Sequence, residues 1–214
     1  NKYRESLKKR LGLDNKLIRT LTARAKRNPK KVVFAEAEHY KILKAAQQVK
    51  DDGIAEPILL GRRKKIEALI EEFSIEFDDI CIIDPKEVAQ EKKRHEFGDL
   101  FWEKRKRKGL TQFEARKLMR ERNYFGSMMV ETGEADGMIS GYSRAYPTVV
   151  KPILEVIGRA NNVKRVATTN IMITERGPMF LSDTSINIDP SAETIAETAQ
   201  MTANVAKTFG FESV

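Results

Sequence analysis

Short runs of Val, Ile and Leu alternate with longer stretches whose apolar residues recur at helical spacing, and this alternation constrains the fold of the 214-residue chain most. KVVFAEAE (Lys31 to Glu38) has the β-branched character of a buried strand ending in acidic residues. Tyr40 to Asp51 carries Ile42, Leu43, Ala45, Ala46 and Val49 on one helical face, with Gly53 just beyond its end. A strand at Pro57 to Gly61, a helix at Lys64 to Glu72 and a strand at Cys81 to Pro85 continue the pattern. Helical stretches at Val88 to Lys108 and Thr111 to Gly126 come next, and Thr111 with Glu114 has capping-box spacing. The strand ADGMISG (Ala135 to Gly141) is followed by a helix from Pro147 or Thr148 to Gly158. Such repeated strand and helix units predict an α/β protein with a mainly parallel sheet covered by helices.

The flanks differ. Asn1 to Asn28 reads as amphipathic helix broken near Gly12 to Asn15, stopped by Asn28-Pro29. ATTNIMIT and PMFLSD, joined through Glu175-Arg176-Gly177, predict an antiparallel hairpin, and Asp189-Pro190-Ser191 opens a last helix that ends at Phe209-Gly210. Phe211 to Val214 reads as the first steps of another strand, so the chain is expected to be a fragment. No internal repeat and no long Pro/Gly/Ser linker separates independent domains; a division is expected near Gly141 to Pro147.

Charge narrows the partners. A net charge of +8 favours anionic ones: nucleic acid, lipid head groups or phosphorylated small molecules. With 33% charged residues and no apolar run near the ~20 residues that a bilayer span needs, no membrane crossing is expected, and Asn1 to Glu5 does not resemble a secretory signal. A cytoplasmic location follows as the expectation. The lone Cys81, between isoleucines, is expected to be a buried, inert thiol. His39 and His95 lack zinc-ligand spacing, and no metal site is expected. Glu36 and Glu38 share one side of an extended segment and read as a solvated strand end, with metal binding or base chemistry as the alternative. Met119, Met128 and Met129 are expected to fill core. Neither a dinucleotide fingerprint nor a Walker loop is present.

Two segments carry the functional argument. FWEKRKRKG (Phe101 to Gly109) places five consecutive cations behind an aromatic pair. In a helix these cations spread around the axis, so they cannot all face one ligand; a solvated face with Phe101 and Trp102 packed inward competes with a nucleic-acid stripe, which the scatter disfavours. SGYSRAYPTVVKP (Ser140 to Pro152) follows a strand with glycine and opens a helix, where backbone N–H groups meet anions in parallel sheets. Ser140, Gly141, Ser143, Tyr146 and Thr148, with the cations Arg144 and Lys151, are the candidate binding groups; turning the corner and capping the helix is the alternative reading.

The segments YFGSMMVETGEADGMISG, VVFAEAE, PILLG, IIDP, RKRKG and FLSDTSINIDPSAE together resemble the phosphate acetyltransferase family, whose reaction moves an acetyl group between coenzyme A and phosphate. SGYSRAYPTVVKP and the basic N-terminal lead are most similar to the phosphate-acetyltransferase-like domain at the C-terminus of large bacterial NADP-dependent malic enzymes. The resemblance implies a three-layer α/β/α fold in two lobes with a cleft, like isocitrate and isopropylmalate dehydrogenases: a first lobe at 1–144 with its helical lead, and the start of a second, truncated, at 145–214. It implies that Arg105 matches a cleft arginine contacting phosphate or acetyl phosphate, a role suited to a guanidinium fork. Lys151 stands where the family has a second arginine, Thr148 where it has aspartate, and Arg144 where it often has histidine. The family's serine-rich loop and catalytic acid have no counterpart before Val214, and no catalytic residue is assigned. The expected ligands are acetyl-CoA or CoA and phosphate. NADP and a divalent metal are expected only in malic-enzyme domains of the same polypeptide, within a homo-oligomer whose acetyltransferase-like domain senses acetyl-CoA. An active acetyltransferase and a nucleic-acid-binding module are the alternatives.

Overall fold

A computed structural model describes residues 16–77, 79–174 and 177–211. The helix expected before Lys16, the turn at Glu175 and Arg176 and the strand start after Phe211 lie outside the described residues. The chain divides into two compact units, Ala25–Gly158 and a second made of residues 159–211 with those up to Arg24.

In the larger unit, β1 (Lys30–Phe34), β2 (Ala55–Leu60), β3 (Cys81–Ile83) and β4 (Gly137–Ile139) form a parallel sheet in the order β3-β2-β1-β4. Val33 lies opposite Ile58 and Met138, and Ile58 opposite Cys81. The strands are apolar on both sides because both sides are covered. Phe34, Leu59 and Ile82 point to one face, where α2 (Tyr40–Asp51) supplies Leu43 and Ala46 and α3 (Arg63–Glu72) supplies Ile66. Val33, Ile58 and Leu60 point to the other. There they meet Phe97 and Phe101 of α4 (Glu91–Arg105), Ala115 of α5 (Gln112–Leu118), Phe125 and Met128 of α6 (Arg122–Glu131), and Val156 of α7 (Tyr146–Val156). The period-two alternation of each strand is thus distributed between two cores, giving three α/β/α layers. Burying side chains such as Phe97, Leu60 and Val33 stabilises the unit by roughly 1.5–3 kcal/mol each.

Several boundaries differ from the sequence expectation. β1 stops at Phe34; after Ala35 N–H donates to the Ile139 carbonyl at 3.0 Å, residues 35–38 form a turn. Glu36 is therefore 3% exposed, not part of a solvated strand end. The stretch from Thr111 to Gly126 is two helices, α5 and α6, with the break at Met119 to Glu121. Thr111 does make the capping box, accepting from Glu114 N–H while the Glu114 carboxylate accepts from Thr111 N–H. Cys81 is exposed, contrary to the expected burial, because it opens the edge strand β3; desolvation pushes its thiol above the usual range, with Asp79 adding to the effect. The division falls after Gly158, whereas Arg144 was the expected end of the first lobe. α7 is tied to the larger unit: Asn123 Nδ2 donates to the Thr148 carbonyl at 3.3 Å, Lys104 Nζ to the Val156 carbonyl at 3.0 Å, and Val156 is buried in the α4–α6 core.

In the smaller unit, β5 (Thr169–Thr174) and β6 (Gly177–Ser182) pair antiparallel, with Ile171 opposite Phe180. α8 (Ala192–Thr208) begins at the Ser191 cap and places Thr202 Oγ1 2.7 Å from Ser182 Oγ; Phe180 meets the rings of Phe209 and Phe211 edge-on. α1 (Lys16–Arg27) contributes Arg24, whose guanidinium donates to the Thr208 carbonyl at 2.8 Å. Among the described residues no helix is long and apolar enough to cross a membrane.

Candidate functional site

The end of the basic run shapes a concavity. α4 closes at Arg105, Lys106–Lys108 form a single 3-10 turn, and Gly109 at φ 85° reverses the chain in a left-handed conformation that glycine adopts without strain. The capped α5 then starts beside it. Between them lies a cavity of about 670 Å³ with a floor of Phe101, Leu110 and Leu118. Its walls carry the cations Lys86, Arg105, Lys108, Lys117 and Arg120 against the carboxylates Glu114, Glu121 and Glu155. Glu114 is already engaged by Thr111, whose hydroxyl and N–H hold its carboxyl below the usual range. The cavity matches the volume of small-molecule sites, and its apolar floor under a cationic rim suits a ligand that is phosphorylated and partly apolar.

Inside this cavity Arg105 meets Glu155, Nη2 to Oε1, at 3.3 Å; both side chains are 22% exposed. The other Glu155 oxygen accepts from the Tyr124 hydroxyl at 2.6 Å. Burial pushes the Tyr124 phenol above its ordinary value, and the hydrogen bond to Glu155 pushes it further, so it stays a donor.

The remaining cations of the run are spoken for in part. Lys104 pairs with Glu131, and Lys106 donates to Glu103 at 2.5 Å while lying 5.2 Å from the centroid of the Trp102 ring.

A second cluster occupies the carboxyl ends of β1 and β4. The chain steps from β1 outward to β2 and β3 and then returns to β1's other side for β4, so the loops after β1 and β4 part at a topological switch point. Glu36 fills that position. Its carboxylate accepts from the backbone N–H groups of Gly141 at 2.8 Å, Tyr142 at 2.5 Å and Ser143 at 3.1 Å, and from the Ser143 hydroxyl at 2.6 Å. Burial pushes the Glu36 carboxyl up, but the bonds from Ser143, Tyr142 and Gly141 outweigh it and hold the group below the usual range. Nearby, Glu38 is 10% exposed among Arg62 at 2.9 Å, Lys65 at 3.4 Å and Arg122 at 3.5 Å. Desolvation opposes its charge, yet Arg62 and Arg122 bring its pKa down to about 2.

The residues singled out in the sequence therefore fall into three places. Arg105 is in the cavity wall. Gly141 and Ser143 give their donors to Glu36, while Ser140 donates to Asn123 Oδ1 at 2.9 Å. Thr148 turns its hydroxyl to the Ala145 carbonyl at 2.7 Å, and Arg144, Tyr146 and Lys151 are exposed. Lys151 does not line the Arg105 cavity; it lies one helical turn before Glu155, which does. Tyr124 and Glu155 escaped sequence reasoning, and Glu36, read there as a solvated strand end, is instead buried and bound by the β4 loop. Only the i, i+4 spacing of Lys151 and Glu155 hinted that a carboxylate accompanies the cation on α7. Among the described residues no three His, Cys, Asp or Glu side chains gather as a metal group.

Comparison with known proteins adds a family. Residues 16–214 match the model of the phosphate acetyl/butaryl transferase family. A phosphate acetyltransferase of Thermoanaerobacterium thermosaccharolyticum is 34% identical over 198 residues, 90% of this chain and 59% of that protein. An NADP-dependent malic enzyme of Salmonella typhimurium is 30% identical over 199 residues, 92% of this chain and 26% of that protein. The EutD phosphotransacetylase structure from Staphylococcus aureus superposes with a TM-score of 0.81 at 29% identity, over 92% of this chain and 58% of its own. The chain thus spans less than two thirds of these relatives. From its matched length and its three-layer architecture, this chain belongs to the phosphate acetyl/butaryl transferase family.

Proposed function

We propose that this chain is the phosphate acetyltransferase-like region of a bacterial NADP-dependent malic enzyme, and that it binds acetyl-CoA as an effector without turning it over. The observation that carries the reading is the Arg105 cavity: five cations over an apolar floor, with three carboxylates, of which Glu155 is paired to that arginine and to Tyr124. Such a site binds a phosphorylated thioester through charge and apolar contact. Two positions expected to act with Arg105 do not join it in this cavity. Thr148 spends its hydroxyl on the backbone of its own helix, and Lys151 is outside the cavity lining.

Oxidative decarboxylation of malate to pyruvate, with its NADP and divalent metal, belongs in this reading to parts of a homo-oligomeric cytoplasmic polypeptide outside the present sequence. The Salmonella typhimurium relative, of which the match covers 26%, supports that arrangement. The test is calorimetric titration with acetyl-CoA alongside an assay of CoA release in the presence of phosphate. Saturable binding with CoA release at background is expected; robust phosphate-dependent turnover would replace the effector reading with an active acetyltransferase.

A further inference from the structure

The carboxylate of Glu155 faces Arg105 in the cavity wall. Its two oxygens are held unequally. The Tyr124 hydroxyl binds one at 2.6 Å, while Arg105 reaches the other with a single nitrogen at 3.3 Å. Charge-assisted bonds are typically about 2.7–2.9 Å, so the contact to Arg105 is the looser of the two. Arg105 can therefore be surrendered without stripping Glu155 of its partner, because Tyr124 still donates to it. The pair also lines the cavity wall and is 22% exposed on each side, within reach of an entering ligand.

We propose that Glu155 is a specificity-determining residue of the Arg105 cavity, a tethered anion that sets the charge a ligand must carry to engage Arg105. The inference rests on the reading of this cavity as an anion site. A carboxylate fixed on α7 competes intramolecularly, at an effective concentration on the order of millimolar or above. A singly charged ligand from solution exchanges one carboxylate for another and gains nothing in charge while facing that tether. A dianionic phosphoryl group brings one charge more and can bridge Arg105 to other wall cations such as Lys108. Glu155 thereby excludes simple carboxylates and admits phosphorylated ligands. It works by neutralising Arg105 rather than by touching the ligand.

Glu155→Gln tests this, since the amide keeps the size and the acceptor for Tyr124 but removes the charge. The full chain is titrated at pH 8 with inorganic phosphate, acetate and acetyl-CoA, in parent, Glu155→Gln and Arg105→Ala forms. Expected is that Glu155→Gln tightens phosphate about tenfold, as removal of one competing unit charge implies, and tightens acetate more, so that the preference for phosphate shrinks. A merely structural role would weaken every ligand and leave the preference alone. Unchanged or weaker phosphate binding in Glu155→Gln, with parent binding still sensitive to Arg105→Ala, overturns the role of Glu155 and leaves the anion site standing. Absence of phosphate and acetyl-CoA binding in both parent and Glu155→Gln overturns both. Should Glu155→Gln fail to fold, Glu155→Asp carries the test, because a carboxylate one methylene shorter releases Arg105 while keeping the charge; the same shift in preference, smaller in size, is then expected, and its absence overturns the proposal.

Discussion

A guanidinium whose contact among the described residues is a single long one has donors to offer a ligand, and Arg105, 3.3 Å from Glu155, is in that position. Arg105→Ala is expected to weaken acetyl-CoA or phosphate binding by at least about 1 kcal/mol, roughly fivefold, measurable by calorimetry; equal affinity would remove Arg105 from the site. Glu38 makes a different residue-scale prediction. A carboxyl lowered from 4.5 to about 2 contributes its stability fully above pH 4.5 and loses it as the pH falls toward 2. Thermal melts should therefore decline across that interval. Glu38→Gln should decline less steeply there and be less stable at pH 7 by about 1–3 kcal/mol, since Arg62, Lys65 and Arg122 would be left facing one another. A pH profile parallel to that of the parent would show that Glu38 is not the group responsible. These buried carboxylates were illegible in the sequence. AEAE at 35–38 looks like a strand end reaching water, and only the turn that begins at Ala35 brings Glu36 under the β4 loop and Glu38 among cations 24 and 84 residues away.

Elements meet closely at two glycines, and the two contacts differ in what can yield. A Cβ on Gly98 of α4 would stand 2.6 Å from the Arg116 Cα of α5, which is backbone. One on Gly126 of α6 would stand 2.6 Å from Met138 Sδ, the end of a flexible side chain, and 3.2 Å from Leu60 and Val33. Both alanine variants overpack, typically at about 1–3 kcal/mol, and Gly98→Ala should be the more destabilising in thermal or urea unfolding because only a shift of whole helices relieves it. The reverse order would mean that α4 and α5 separate more readily than the sheet layer yields. The elements themselves were the most legible part of the chain. α2 matches its expected bounds at both ends, and Thr111 caps α5 as its spacing with Glu114 announced. The break between α5 and α6 was not legible, because Met119, Arg120 and Glu121 are all good helix formers and packing, not propensity, turns the chain there.

Across the whole molecule, the charge of +8 invites an association with nucleic acid that the arrangement of the charges argues against. Lys104, Arg105 and Lys106 each pair with a carboxylate, and the Trp102 ring lies beneath Lys106 instead of open for stacking on bases. Heterogeneous DNA is expected to bind weakly, with log K falling by no more than about 2 per decade of salt; a slope of 6 or more would mark a true phosphate-tracking surface. A parallel sheet covered by helices was legible from alternation, and its three layers from the family resemblance, while the division after Gly158 was not, since the glycine corner near Gly141 looks like a boundary and the bonds that tie α7 back to α4 and α6 join residues far apart in sequence. Trp102 has one more consequence. It is the chain's only indole, it packs beside the core that holds Phe101, and Phe101 floors the Arg105 cavity. Its emission therefore arises from a single indole on α4, one residue along from that floor, so a label-free titration followed at one wavelength is expected to shift if filling the cavity moves the packing around Phe101.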